Sequence, residues 1–203
     1  MLARSGAAPA PAPITVAAPT QTFVAPSPVP VTDGAANGCL GGSDPATAVL
    51  AAQQSATLDE QGAAEFAWTV ARWADMYPAD PDMAATVAQI ATPGYQAQLL
   101  DGLTNSAGTR ASGGYSDARS VLGAASQYRV VAADPSAASV TVNVAGYWQT
   151  TKGGAQSQFR GYGTLILDAV DGHWQVAAVP TDHPADPFAA ITGAPWITYA
   201  GVC

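Results

Sequence analysis

Apolar residues recur at helical spacing through the middle of the chain and alternate with polar residues towards its end. Thr57 and Glu60 have the spacing of a capping box, and the apolar stripe that follows predicts a helix ending at Pro78. Asp80-Pro81 and Thr92-Pro93 each place proline after a capping residue, which predicts two more short helices. The apolar positions of the three helices are Ala63, Phe66, Val70, Trp73 and Tyr77, then Met83, Val87 and Ile90, then Tyr95, Leu99, Leu100 and Leu103.

Residues 104–126 break this helical pattern, because Gly, Ser and Ala dominate their composition. Such a composition predicts a long loop with at most one helical turn, near Asp117–Leu122. A loop of this length inside a compact domain is usually either functional or mobile.

Alternation of apolar and polar residues predicts four strands in the last third of the chain. Lys152-Gly153-Gly154 and Asp171-Gly172 are turn signals that make neighbouring strands antiparallel. Gly161 and Gly163 lie inside the third strand, where glycine usually marks a bulge or a sharp bend. The predicted strands are Tyr128–Ala132, Ser139–Gln149, Ser157–Asp168 and Trp174–Ala178.

Helices followed by an antiparallel meander predict an α+β domain, with three short helices packed on a curved four-stranded antiparallel sheet. Residues 1–38 differ from the rest, because prolines recur among Ala, Val and Thr. This stretch has too little apolar surface to offset the entropy of ordering, so it predicts a disordered linker that tethers a domain at 39–203.

Composition narrows the class of function. Charged residues make up 11% of the chain, the only lysine is Lys152, and the formal net charge is −8. These values exclude a broad basic surface for nucleic acid or anionic lipid. Because no run of roughly 18 apolar residues occurs, the sequence predicts no helix that spans a membrane.

Candidate chemistry is sparse. His183 stands between Asp182 and Asp186, a pattern that could bind a metal, but the segment is rich in turn formers and is better interpreted as a solvated loop. His173 lies beside a hairpin turn without a convincing partner. We therefore predict no catalytic residue, no metal site and no cofactor.

The closing hairpin carries a resemblance to a known family. Residues 171–177 read Asp-Gly-His-Trp-Gln-Val-Ala and end a strand meander that follows three helices, an arrangement that resembles the NTF2-like (cystatin-superfamily) cone fold. Residues 38–42, 49–53 and 62–67 are similar to an actinobacterial family that accompanies conjugative elements. The resemblance covers residues 38–203. It implies an extracytoplasmic or cell-surface domain of a conjugative transfer (type IV secretion-like) scaffold from Gram-positive bacteria.

Two functional hypotheses follow from this resemblance. The first is a non-catalytic assembly domain whose partners are other envelope or secretion-apparatus proteins, or further copies of the chain. The second is a small-molecule binder or enzyme that uses the cavity of an NTF2-like cone, with Asp168 and Tyr147 or Tyr162 as candidates for proton transfer. A cavity that holds a buried Asp or His would favour the second hypothesis, and an interior filled by Trp and Phe would favour the first.

Cys39 and Cys203 are the two cysteines of the chain. One lies where the linker meets the domain, the other is the final residue, and neither is in an apolar segment that would bury a lone thiol. Because cysteines of extracytoplasmic proteins are commonly paired, we predict a disulfide between them. The alternative is two unpaired thiols in a cytoplasmic protein.

Overall fold

The structure, a computed structural model, describes residues 36–121, 126–134, 138–182 and 184–200. Within these ranges the chain is α+β, with four helices followed by the strands of one open, antiparallel sheet. The helices are α1 (Pro45–Ser55), α2 (Glu60–Ala74), α3 (Met83–Ile90) and α4 (Gln96–Ser112). The strands are β1 (Tyr115–Val121), β2 (Gln127–Asp134), β3 (Ser139–Lys152), β4 (Ala155–Val170), β5 (His173–Ala178) and β6 (Ile197–Thr198).

The described element counts exceed the predicted three helices and four strands. Helix α1 was missed because four of its eleven residues are alanine and it shows no apolar stripe. A signal was nevertheless present, since Asp44 accepts a hydrogen bond from the backbone N–H of Thr47 and Pro45 occupies the first helical position. The same arrangement, an Asp followed directly by Pro, was the basis for predicting α3.

Helix α2 confirms the predicted amphipathic helix but starts differently and ends earlier, at Ala74, so that Tyr77 lies beyond it and bridges to Ala118 of β1. Asp59, not Thr57, is the N-cap, and its carboxylate accepts the Gly62 N–H at 2.7 Å. The Thr57 hydroxyl donates to the same carboxylate at 2.8 Å. The predicted capping box is therefore wrong, because the carboxylate of Asp59, two residues closer to the helix, accepts the free N–H of Gly62.

The predicted loop at 104–126 is wrong over most of its length. Helix α4 continues to Ser112, and Tyr115–Val121 forms strand β1 where a helical turn was expected. Strand β1 pairs with the second half of β3, from Tyr147 to Lys152. A tertiary partner thus organises a segment whose own composition favours a loop.

The sheet is built around β3, which pairs with β4 along its whole length. The sheet order is β5-β4-β3-β2-β6. Strand β1 pairs with the same edge of β3 as β2 does, but further along β3, towards Lys152. The Asp171-Gly172 hairpin is confirmed, with positive φ values of 51° and 82° at these two residues. Pairing of β3 with β4 has no register shift at Gly161 or Gly163, so the predicted bulge there is wrong.

The predicted linker at 1–38 lies outside the described residues except for 36–38. Ala36 and Gly38 are buried against the domain. In the described part of the chain, no helix is both long and apolar enough to cross a bilayer.

Candidate functional site

The space between α2 and the sheet is filled by two tryptophans. We call the face of β3 that carries Val142, Val144, Gly146 and Trp148 the helix face, because α2 packs on it. The rings of Trp68 and Trp148 meet edge to face, with centroids 5.9 Å apart. Both side chains are buried.

Two glycines make room for these rings. A Cβ atom at Gly146 would lie 2.5 Å from Cη2 of Trp68, and one at Gly161 would lie 2.5 Å from Cε3 of Trp148. Because Gly146 and Gly161 face each other across β3 and β4, they form one flat patch under the aromatic pair. Gly161 therefore serves close aromatic packing.

A second space, lined by the end of α2, the start of α3 and one side of α4, is small and has its polar groups satisfied. Its volume is about 10 Å³, which is enough for a single water molecule. The buried Asp80 carboxylate beside it accepts hydrogen bonds from Trp73 Nε1 at 2.7 Å, the Thr86 hydroxyl at 3.1 Å and the Asp82 N–H at 2.9 Å. The predicted N-cap at Asp80 is wrong, because α3 begins at Met83 and its N-cap is Asp82. The oxygens of Asp80 are instead engaged by neutral donors within the fold.

A half-open groove of about 190 Å³ lies where the helices end above β1, β3 and β4. The two charged side chains that line the groove bind each other, since Asp75 accepts a hydrogen bond from Arg110 Nη2 at 3.0 Å. Asp75 also accepts one from Trp148 Nε1 at 2.6 Å. Phe159 stacks on Trp148, with centroids 6.4 Å apart, and remains 51% exposed. The groove thus offers aromatic surface, while its ion pair is already satisfied.

The opposite face of the sheet is partly covered by residues 187–196. Arg129, which is 1% exposed, donates to the Ala189 carbonyl at 2.7 Å and to the Pro187 carbonyl at 3.2 Å, and it stacks 4.3 Å from the Trp196 ring centroid. When the side-chain amide of Asn143 is oriented to satisfy its hydrogen-bond partners, its oxygen accepts a hydrogen bond from Arg129 Nε at 3.0 Å. No carboxylate among the described residues pairs with Arg129. This buried cation therefore fastens the C-terminal segment to the sheet.

A polar stripe on α2 holds the chain that enters the domain. Glu65 accepts the Gly38 N–H at 3.0 Å, and the Arg72 guanidinium donates to the carbonyls of Gly42 at 3.2 Å and Ser43 at 2.5 Å. These side chains are seven positions apart, so they share one face of the helix. Burial raises the pKa of Glu65, and the hydrogen bond from Gly38 opposes that rise.

The raised pKa of Glu65 predicts a pH dependence of stability. Its folded pKa lies above the ordinary value of 4.5, so the folded chain holds a proton that the unfolded chain has lost. The free energy of unfolding of the wild type, minus that of Glu65→Gln, should therefore be highest below pH 4.5 and fall as pH rises through the folded pKa. Urea titrations across this range measure the difference, in which the other carboxylates cancel. A difference that is flat or rises with pH contradicts the prediction.

The residues considered for proton transfer do not come together. Asp168 lies six positions from Tyr162 along β4, a separation of about 20 Å in an extended strand. Tyr147 is opposite Arg160, still farther from Asp168. Thus the geometry does not bring this acid next to either tyrosine.

The structure describes only some of the residues that were considered for a metal site and for the disulfide. His173 is half-buried at the start of β5, and no group of three metal-binding side chains occurs among the described residues. His183 and Cys203 lie outside the described residues. The proposed metal pattern at 182–186 and the pairing of Cys39 with Cys203 therefore remain sequence-based interpretations.

The two described ends of the domain lie side by side, which favours the predicted disulfide. The Ala200 N–H donates to the Ala36 carbonyl at 3.2 Å, and each cysteine follows three residues after one of these positions. We expect thiol titration of denatured, unreduced protein to find no free thiol, and two after reduction. Protein recovered from the cell exterior with two free thiols before reduction would contradict both the pairing and the localisation.

Residues that sequence reasoning missed are Asp75, Arg110 and Arg129. Arg110 and Arg129 were two of only six arginines in a charge-poor chain, and that scarcity was the one available signal. Comparison of the chain with family models, with curated proteins and with solved structures found no match.

Proposed function

We propose that this chain is a non-catalytic assembly domain of NTF2-like fold, which works outside the cytoplasm as part of a conjugative transfer (type IV secretion-like) apparatus. The family assignment and the location come from the resemblance of residues 38–203, and the order of helices before an open antiparallel sheet is compatible with it. Its partners are envelope or secretion-apparatus proteins, or further copies of the chain.

The observation that carries the non-catalytic part is the filled interior. Trp68 and Trp148 occupy the space between α2 and the sheet, and the glycines beneath them leave no room for a ligand. The alternative, proton transfer inside a cavity, needs a carboxylate whose pKa is tuned by burial and a space beside it for a substrate. Burial does raise the pKa of Glu65, but that carboxylate is engaged by the backbone N–H of Gly38. The buried Asp80 borders a space of about 10 Å³ and accepts three hydrogen bonds. These features support binding through the surface.

Deletion and complementation in the bacterium that carries the gene test the proposal. Deletion should reduce conjugative transfer to background, and the wild-type chain should restore it. The double variant His173→Ala, His183→Ala should restore it equally, because neither histidine is needed by an assembly domain. Circular dichroism of the purified variant controls for folding.

Two outcomes would contradict the proposal. Transfer that is unaffected by deletion would separate the chain from the conjugation apparatus. A folded double-histidine variant that fails to complement would replace surface assembly with a site-based activity.

A further inference from the structure

One exposed stretch of strand edge has no pairing at all among the described residues. The other outer edges are paired in part: β2 pairs with β6 at Gln127 and Tyr128, β1 bridges to Tyr77 at Ala118, and β5 bridges to Ala91 at Val176. By contrast, β5 reaches β4 only from Ile166 to Val170, and nothing among the described residues pairs with the outer edge of Ala155–Arg160. All six of these residues are exposed.

This edge also lacks the devices that normally prevent strands from associating. Proteins protect such edges with lysine, proline, inward-pointing charge or a bulge. The segment Ala155–Arg160 contains no lysine, proline or acid, and its pairing with β3 is regular. The nearby Lys152 is turned away, with its ammonium 5.4 Å from the Tyr115 ring centroid on the β1 side. The edge is therefore open to another strand.

We propose that the outer edge of β4 at Ala155–Arg160 pairs antiparallel with the same edge of a second copy, forming a two-fold symmetric dimer. The inference rests on the proposed assembly function and names one of its partners. Pairing about a two-fold axis satisfies both open edges at once and leaves a closed dimer.

The local charge of this edge permits a second copy as the occupant. The chain carries a net charge of −8, so two copies repel over most of their surfaces. The segment Ala155–Arg160 has no acid, and its single cation, Arg160, lies 4.0 Å from the Phe188 ring centroid and donates to Gln127 at 3.0 Å. Two such segments can meet without bringing like charges directly together.

Side-chain positions favour an axis through Phe159. In that register Phe159 lies opposite the Phe159 of the second copy, and Arg160 lies opposite Gln158, which can accept its hydrogen bonds. Opposed aromatic side chains stabilise antiparallel pairs. Both phenylalanines would lie on the helix face, next to the groove above Trp148. Pairing would thus cover the exposed half of Phe159.

Sedimentation velocity of the full chain over a range of concentrations tests the dimer. The wild type should show a concentration-dependent dimer, and Phe159→Lys and Gln158→Pro should each lose it, because the Gln158 N–H points to the outer edge while that of Ser157 pairs with β3. Leu58→Lys is the matched control, because Leu58 is 52% exposed and distant from β4 in sequence, and it should retain the dimer. Circular dichroism confirms that each variant is folded.

Oxidative cross-linking tests the register without relying on loss of association. Phe159→Cys should form a dimer linked between copies, whereas Gln156→Cys should not, because its sulfur would be far beyond disulfide reach of its counterpart. A wild type that stays monomeric at every concentration overturns the proposal, as does a dimer that survives Phe159→Lys and Gln158→Pro. Cross-linking of Gln156→Cys in preference to Phe159→Cys overturns the register.

The outcomes distinguish this inference from the proposed function. A monomeric chain whose deletion still abolishes transfer would leave the assembly function standing and remove self-pairing. A dimer in a chain whose deletion does not affect transfer would leave self-pairing standing and remove the proposed role in conjugative transfer.

Discussion

Replacing Gly146 with alanine is expected to lower the free energy of unfolding by about 1–3 kcal/mol, the usual cost of overpacking a core. The new Cβ would lie 2.5 Å from Cη2 of Trp68 and 3.1 Å from the Ser126 hydroxyl. Trp68 is fully buried, so its ring cannot move aside without displacing Trp148 and Tyr199, with which it packs. Urea unfolding measures the change.

Gly163→Ala is the matched control for Gly146→Ala. Both glycines lie inside paired strands, so alanine reduces the entropy of the unfolded chain similarly at either position. A Cβ at Gly163 would meet only Cγ2 of Val144, at an ordinary 3.6 Å. Equal stability of the two variants would show that Gly146 is not required by the aromatic packing.

Arg129→Met is expected to destabilise the domain even though it removes an unpaired buried charge. Methionine keeps the apolar stem but loses the donors to Asn143 and to the carbonyls of Pro187 and Ala189. An unsatisfied buried amide costs about 1–3 kcal/mol and a desolvated cation–π contact contributes about 2 kcal/mol, so we expect a loss of about 3 kcal/mol. Residues 187–196 should also become accessible to protease.

Arg119→Met provides the control for Arg129→Met. The Arg119 side chain is 58% exposed, and its nearest carboxylate, that of Asp117, is 4.0 Å away, so this change should be nearly neutral. If Arg129→Met matched Arg119→Met in stability and protease resistance, Arg129 would not be what fastens the C-terminal segment.

Local patterns determined the elements whose signals are local. The helical stripe of α2 and the alternation in β3 depend on residues within each element, and the structure contains both. The Asp171-Gly172 turn was predictable for the same reason, since positive φ at both positions favours these residue types. Sequence also determined the α+β class, because helical periodicity precedes strand periodicity.

Only the tertiary structure decided the features that depend on contacts between distant residues. Strand β1 and the end of α4 have loop-like composition and are ordered through β3 and the Arg110–Asp75 pair. The role of Gly161 depends on Trp148 across the sheet, and that of Arg129 on residues about 60 positions away. The open edge of β4 is likewise defined by where β5 stops pairing. Such features depend on contacts between distant parts of the chain, which periodicity within a short window does not encode.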